Sequence, residues 1–179
     1  MVRGLLGAER CLDTVAANLR QLQVDGWPLV ETTQDLVHQR FLDYSCLYWW
    51  ESPAVAFERR RGYCIQYNTA LYEVLCRLGI DCMLVYAARV RLANDPIWRM
   101  GHVWVQVAID GEVRDVCAGS SSLDANSPRF EPLTPVRRLG AGLKSLTVVG
   151  TAMAVVAASL SAGITHSARP RWLHHPFGT

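Results

Sequence analysis

Apolar residues in the first fifty positions recur at helical spacing. Leu12, Val15, Ala16, Leu19 and Leu22 form one stripe, which predicts a helix over roughly 8–24. Gly26-Trp27-Pro28 reads as a turn. Leu36, Val37, Arg40 and Phe41 stay in phase after Thr33, a residue suited to capping, so a second helix is expected from there to about Tyr48. Phe57 to Gly62 reads as a turn closing a short helix. Leu71, Tyr72, Leu75 and Leu78 then share one face and Gly79 follows as a chain stop, which places a helix over roughly 64–78.

Beyond Gly79 the period changes from helical to two. In Ile80 to Arg91, Leu84, Tyr86, Ala88 and Val90 share one strand face. Asn94-Asp95-Pro96 is a loop. His102 to Ile109 is a second strand, with Val103, Val105, Val107 and Ile109 on the core face. His102, Trp104, Gln106 and Ala108 face the other way, as a site wall would. Asp110-Gly111 is a strong hairpin signal, and Glu112 to Cys117 is the return strand. The pattern predicts an α+β fold: helices at the N-terminus, the helix that begins at Cys64 packed on an antiparallel sheet, and a C-terminal apolar helix.

The last third breaks this pattern. Asp124 to Pro135 is rich in Ser, Asn and Pro and reads as a connector. Residues 145–168 contain no Lys, Arg, Asp or Glu, and their length would span a bilayer, but they are mostly Ala, Ser, Gly, Thr and Val. Gly150, Ala154, Ala158 and Ala162 recur every fourth residue, a stripe that permits close helix packing. Two readings stand: a single transmembrane or membrane-associated helix with basic flanks, or a soluble helix packed against the domain or a partner. The expected division is 1–123 as the cysteine-bearing domain, 124–144 as connector, 145–168 as apolar helix and 169–179 as a basic tail.

Composition narrows this picture. A chain of 179 residues with 50% hydrophobic content can build one core plus an appendage. Residues 1–128 carry 12 basic and 15 acidic side chains, and 129–179 carry 6 and 1, so no domain-wide basic surface suggests nucleic acid. The six cysteines contain no CxxC pair, and no histidine is spaced to complete a zinc site, so neither a metal nor another cofactor is expected. His174-His175 reads as a solvated pair. Met1 to Glu9 lacks an apolar run suited to a secretory leader, and free thiols fit a reducing compartment. The expected location is cytoplasmic, with membrane association through 145–168 as the variant.

The chemistry-bearing residues are Cys64, His102 and Asp115, separated by 38 and 13 residues. A thiol attacks as thiolate, a neighbouring imidazole promotes that form, and an acid or amide fixes the imidazole. The start of a helix favours the thiolate, and Arg59, Arg60 and Arg61 add nearby positive charge. With Asp110 and Gly111 alone in the turn, Asp115 faces Gln106. Trp104 and then His102 lie further along that face, at about 6.6 Å per two-residue step. A bulge or longer turn would be needed to join Asp115 to His102. Asp124, Asn126 and Gln106 are the substitutes. Trp49, Trp50, Tyr63, Trp104 and Gln106 are the candidates for substrate contact or oxyanion binding, and Tyr44 is a further oxyanion candidate.

Gly62-Tyr63-Cys64, the Leu78-Gly79-Ile80 helix end, Gly101-His102-Val103-Trp104 and the Asp110-Gly111 turn with Asp115 resemble the transglutaminase-like superfamily over about residues 35–118. The resemblance implies a papain-like site, with Cys64 as nucleophile, His102 as base and then acid, and Asp115 as orienter. The implied reactions are transamidation and amide or peptide hydrolysis, with non-catalytic descendants. The His-to-Asp spacing is shorter than the family pattern. A weaker similarity links Arg61-Gly62-Tyr63-Cys64, Asn68, Arg89-Val90, Asp115-Val116 and Gly119 to the arylamine N-acetyltransferases.

The expected function is acyl transfer on an amide or peptide through a thioester, with hydrolysis preferred to crosslinking because the chain lacks room for accessory domains. The expected partner is a peptide or protein substrate. The alternatives are acetyl transfer and a non-catalytic binding or maturation-partner protein.

Overall fold

The computed structural model describes residues 11–93, 99–121, 129–140, 153, 156–157 and 160–168. The first helix, α1, spans Leu12–Gln21 and buries Leu12, Val15, Ala16 and Leu19, the stripe read from the sequence. Helix α2 runs Gly26–Arg40. It begins seven residues before Thr33, because Gly26-Trp27-Pro28 forms its first turn instead of a turn ahead of it. Proline is tolerated at a helix start, where N–H groups have no partner within the helix. Thr33 is an interior residue whose hydroxyl donates to Leu29 O at 2.7 Å.

The segment expected to continue helical to Tyr48 leaves the helix at Phe41. It forms β1 (Asp43–Tyr44) and a 3-10 turn over Cys46–Tyr48. Helix α3 (Pro53–Arg59) follows, with Ser52 Oγ accepting from Val55 N at 3.3 Å, Pro53 in the first turn and Arg60 closing it in the left-handed region. Arg40 donates to the last carbonyls of α3, Phe57 O at 3.1 Å and Glu58 O at 3.2 Å. Strand β2 (Arg61–Gly62) pairs in parallel with β1, so residues 43–51 sit beside the start of the next helix. That helix, α4 (Cys64–Leu78), has the predicted boundaries and stops at Gly79 with φ +82°.

The sheet is antiparallel, in the order β5-β4-β3-β6, with β7 also pairing β3. Its strands are β3 (Cys82–Leu92), β4 (Arg99–Ile109), β5 (Glu112–Val116), β6 (Phe130–Pro132) and β7 (Arg137–Arg138). The last two lie in the stretch read as connector. Three-residue and two-residue strands among prolines have no periodicity to reveal them, and their partner β3 holds them. In β3 the register shifts between Ala87 and Val90, so Ala88 is exposed although strict alternation grouped it with buried Leu84 and Val90.

Both faces of β4 are buried. Val103, Val105 and Val107 are inaccessible as expected, and Trp104 is equally so, with His102 3% exposed. In the C-terminal stretch, helical residues occur at 153, 156–157 and 160–165, and Met153, Val156, Leu160 and Ile164 are exposed. Most of 145–159, the tail 169–179, Asp124 and Asn126 lie outside the described residues. Among the described residues no helix is long and apolar enough to cross a membrane.

Candidate active site

Cys64 is the first residue of α4. The turn before it is locked by one side chain: Gln66 Oε1 accepts from Tyr63 N at 3.1 Å, while Gln66 Nε2 donates to Tyr48 O at 2.9 Å and Glu51 O at 2.8 Å. Gly62 fits closely here. A Cβ at this position would lie 3.0 Å from Gln66 Oε1 and 3.1 Å from the Phe41 ring. A buried amide thus ties the 48–51 loop to the helix that carries the thiol.

The thiol is 5% exposed. Burial, reinforced by Cys46, pushes it up to about 12, against the pull of backbone contacts from Val103 and Ile65. The contact with Val103 sets the sulfur beside the backbone next to His102. Desolvation therefore outweighs the helix start, and the resting group is a neutral thiol. The arginines do not change this. Arg59 and Arg61 pair with Glu51, Arg61 at 3.5 Å, and the Arg61 guanidinium lies 3.5 Å over the Tyr48 ring. Their charge is committed within the preceding turn.

His102 projects from β4 between aromatic rings, stacked on Trp104 at 5.9 Å and edge-on to Phe130 at 4.5 Å. Burial alone pushes it down to about 3, so it is neutral at physiological pH. Its Nε2 lies 3.4 Å from Cys117 Sγ.

Asp115 is placed elsewhere. The two-residue turn holds, with Asp110 and Gly111 both at positive φ, and Asp115 pairs with Gln106 in the ladder. Gln106 Nε2 donates to Asp115 Oδ1 at 3.0 Å. The position expected of the orienting acid, beside the imidazole, holds Cys117, two residues further along. Sequence reasoning looked for an acid and passed over a cysteine. The alternation of the return strand was the signal that could have found it.

Cys117 is held from three sides. Asn68 Nδ2 and Gly119 N approach its sulfur at 3.5 and 3.4 Å. Asn68, one turn beyond Cys64 on α4, also donates to Val103 O at 2.7 Å and accepts from Ala118 N at 2.9 Å. Gln34 Nε2 on α2 donates to Cys117 O and Ser120 O, each at 3.0 Å, and His38 Nδ1 meets Ala118 O at 3.0 Å. Burial pushes the Cys117 thiol up to about 11 although Asn68 and Gly119 pull it down.

The remaining candidates divide by exposure. Tyr63 is buried in the turn and Trp104 in the core, where its indole Nε1 has no hydrogen-bond partner among the described residues. Trp50 is 64% exposed and meets Trp49 edge-to-face at 5.8 Å. Both lie on the loop that Gln66 anchors. Tyr44, Cys46 and Tyr67 complete the surroundings of Cys64: the Tyr44 and Tyr67 rings are 6.1 Å apart, and Cys46 Sγ lies 3.7 Å from Tyr44 Oη. Burial pushes both hydroxyls well above 10 and the Cys46 thiol up to about 11.

A cysteine-bearing helix on an antiparallel sheet, with a histidine on the neighbouring strand, is the arrangement that the sequence resemblance implied. The fold is α+β, with the cysteine-bearing helix packed on the antiparallel sheet. The structure of a TGase matches with a TM-score of 0.47 at 13% identity, over 60% of this chain and 30% of that one. A structure described as a "putative cysteine protease" from Cytophaga hutchinsonii matches with a TM-score of 0.50 at 11% identity, over 78% of this chain and 53% of that one. The chain therefore spans a third to a half of the length of these proteins. The profile of a family described as N-acetyltransferase matches residues 54–128, which include Cys64, His102, Asp115 and Cys117. No curated protein matches the chain.

Proposed function

We propose that the chain catalyses cysteine-dependent acyl transfer, with Cys64 as nucleophile and His102 as proton carrier. One observation carries the reading. Cys64 opens α4, the Val103 backbone of β4 pulls on its thiol, and the adjacent His102 is backed by Cys117 at 3.4 Å. The similarity to cysteine-based acyl-transfer families supports the same general class.

Because thiol and imidazole are both neutral at rest, the proton moves during attack and not before it. The sulfur bonds to the acyl carbon as the S–H proton passes to His102. The carbonyl electron pair moves onto oxygen, which accepts from the Cys64 backbone N–H in this scheme. Collapse breaks the bond to the leaving amine or thiol, which takes the proton from His102 and leaves a thioester. An incoming amine or water then returns Cys64 by the reverse sequence. Cys117 accepts from Nε2–H in this scheme, which makes Nδ1 the base.

The preferred reaction is hydrolysis of an amide or peptide, with Trp49 and Trp50 on the anchored loop as the surface for an extended substrate. A second reading, acetyl transfer from an acyl thioester to an amine, is favoured by the N-acetyltransferase match over 54–128. The two are separated by incubating the full chain with a peptide anilide, or with acetyl-CoA and an arylamine. Aniline release supports hydrolysis, and N-acetylated amine supports transfer. No product in either, with no acyl adduct on Cys64, would overturn the enzyme reading in favour of a binding protein.

A further inference from the structure

A second pair of cysteines lies away from this site, at the other end of α4. Cys76 occupies the last turn of the helix and Cys82 is the first residue of β3, with the left-handed Gly79 turn between them. Their sulfurs are 3.8 Å apart. Cys76 is exposed and Cys82 half-buried, so solvent reaches one sulfur and the second stands behind it. Both ends of the turn are fixed. Gly79 N donates to Cys76 O and Ile80 N to Leu75 O, each at 3.1 Å, and Ala108 N donates to Asp81 O at 2.9 Å. A disulfide needs a sulfur separation near 2.05 Å, and the two sulfurs already lie in contact at 3.8 Å.

We propose that Cys76 and Cys82 are a thiol–disulfide exchange site, oxidised by a small disulfide of the glutathione class. In the first step the Cys76 thiolate attacks one sulfur of oxidised glutathione. A Cys76–glutathione bond forms, the glutathione S–S bond breaks, and one glutathione thiolate leaves. In the second step the Cys82 thiol, which burial keeps protonated at rest, loses its proton as its sulfur attacks Cys76 Sγ; the Cys76–Cys82 bond forms and the second glutathione thiolate leaves. The two cysteines are oxidised by two electrons, oxidised glutathione is reduced to two thiols, and the two cysteine protons end on those thiols. The closed turn fixes the C-terminal end of α4 to the sheet, at the far end of the helix from Cys64.

Arg77 separates the two cysteines, so trypsin places them on different peptides. The full chain is incubated with oxidised glutathione, quenched with alkylating agent and mapped by mass spectrometry. The expected product carries no glutathione at either position and yields one crosslink between the Cys76 and Cys82 peptides, two hydrogens lighter than their sum. Cys82→Ser is expected to stop at a glutathione adduct on Cys76. Exposed Cys11 is the internal control. A wild-type protein whose Cys76 retains glutathione, or whose pair stays reduced while Cys11 is modified, would overturn the proposal.

Discussion

Cys117 Sγ stands 3.4 Å from His102 Nε2, in the position where an acid would orient the imidazole. A buried thiol with a raised pKa brings no negative charge. Burial pushes the histidine down to about 3, and burial reinforced by Cys46 leaves the Cys64 thiol protonated.

Cys117→Asp places a negative charge beside the imidazole. An anion at this distance raises a histidine by roughly 1–3 pKa units. The variant is expected to react with iodoacetamide at Cys64 at lower pH than wild type, by at least about one unit. Mapped alkylation rates between pH 5 and 10 check this, and an unchanged profile in a folded variant would remove Cys117 from the site.

The same histidine makes stability depend on acid. In the unfolded chain His102 takes up a proton near 6.5, whereas in the folded protein it stays neutral to about 3. Stability from this group is complete above pH 6.5 and is lost as pH falls toward 3, at a cost of about 2 kcal/mol by pH 5. Urea midpoints at pH 7 and pH 5 measure it, and His102→Gln is expected to show the smaller difference.

The helical half of the molecule was largely legible in the sequence. The Leu12 to Leu19 stripe, the 64–78 helix and the Asp110-Gly111 turn all follow from local spacing and turn chemistry. The breaks came where long-range contacts override local signals. Phe41 leaves the helix because β1 pairs with β2, and Phe130 to Pro132 forms a strand because β3 offers a free edge. The simple hairpin register already placed Asp115 opposite Gln106, as found. The depressed Cys64 pKa expected from a helix start does not occur, because burial depends on the whole fold and leaves no local mark.

Asn68 holds α4, β4 and the end of β5 together through Val103 O, Ala118 N and the Cys117 sulfur. Asn68→Ala leaves two buried backbone groups without partners, at a cost of about 3 kcal/mol. Chemical denaturation checks the magnitude.

Gly62→Ala is expected to destabilise by about 1–3 kcal/mol, since its methyl would press on Gln66 and Phe41. Thermal unfolding reads the loss. Displacing Gln66 also loosens the 48–51 loop, so the Trp50 fluorescence environment should change in the folded variant.

The pairing of Cys64 with His102 is tested most directly by acylation at neutral pH. The protein is treated with p-nitrophenyl acetate and the acetylated cysteines are mapped by mass spectrometry, in wild type and His102→Ala. Cys11 and Cys76 are exposed and Cys64 is buried, so simple accessibility favours the first two. The account predicts acetyl on Cys64 ahead of both in wild type, and its loss in the variant. Acetyl on Cys11 and Cys76 but not on Cys64, or Cys64 acetylation that survives without His102, would contradict it.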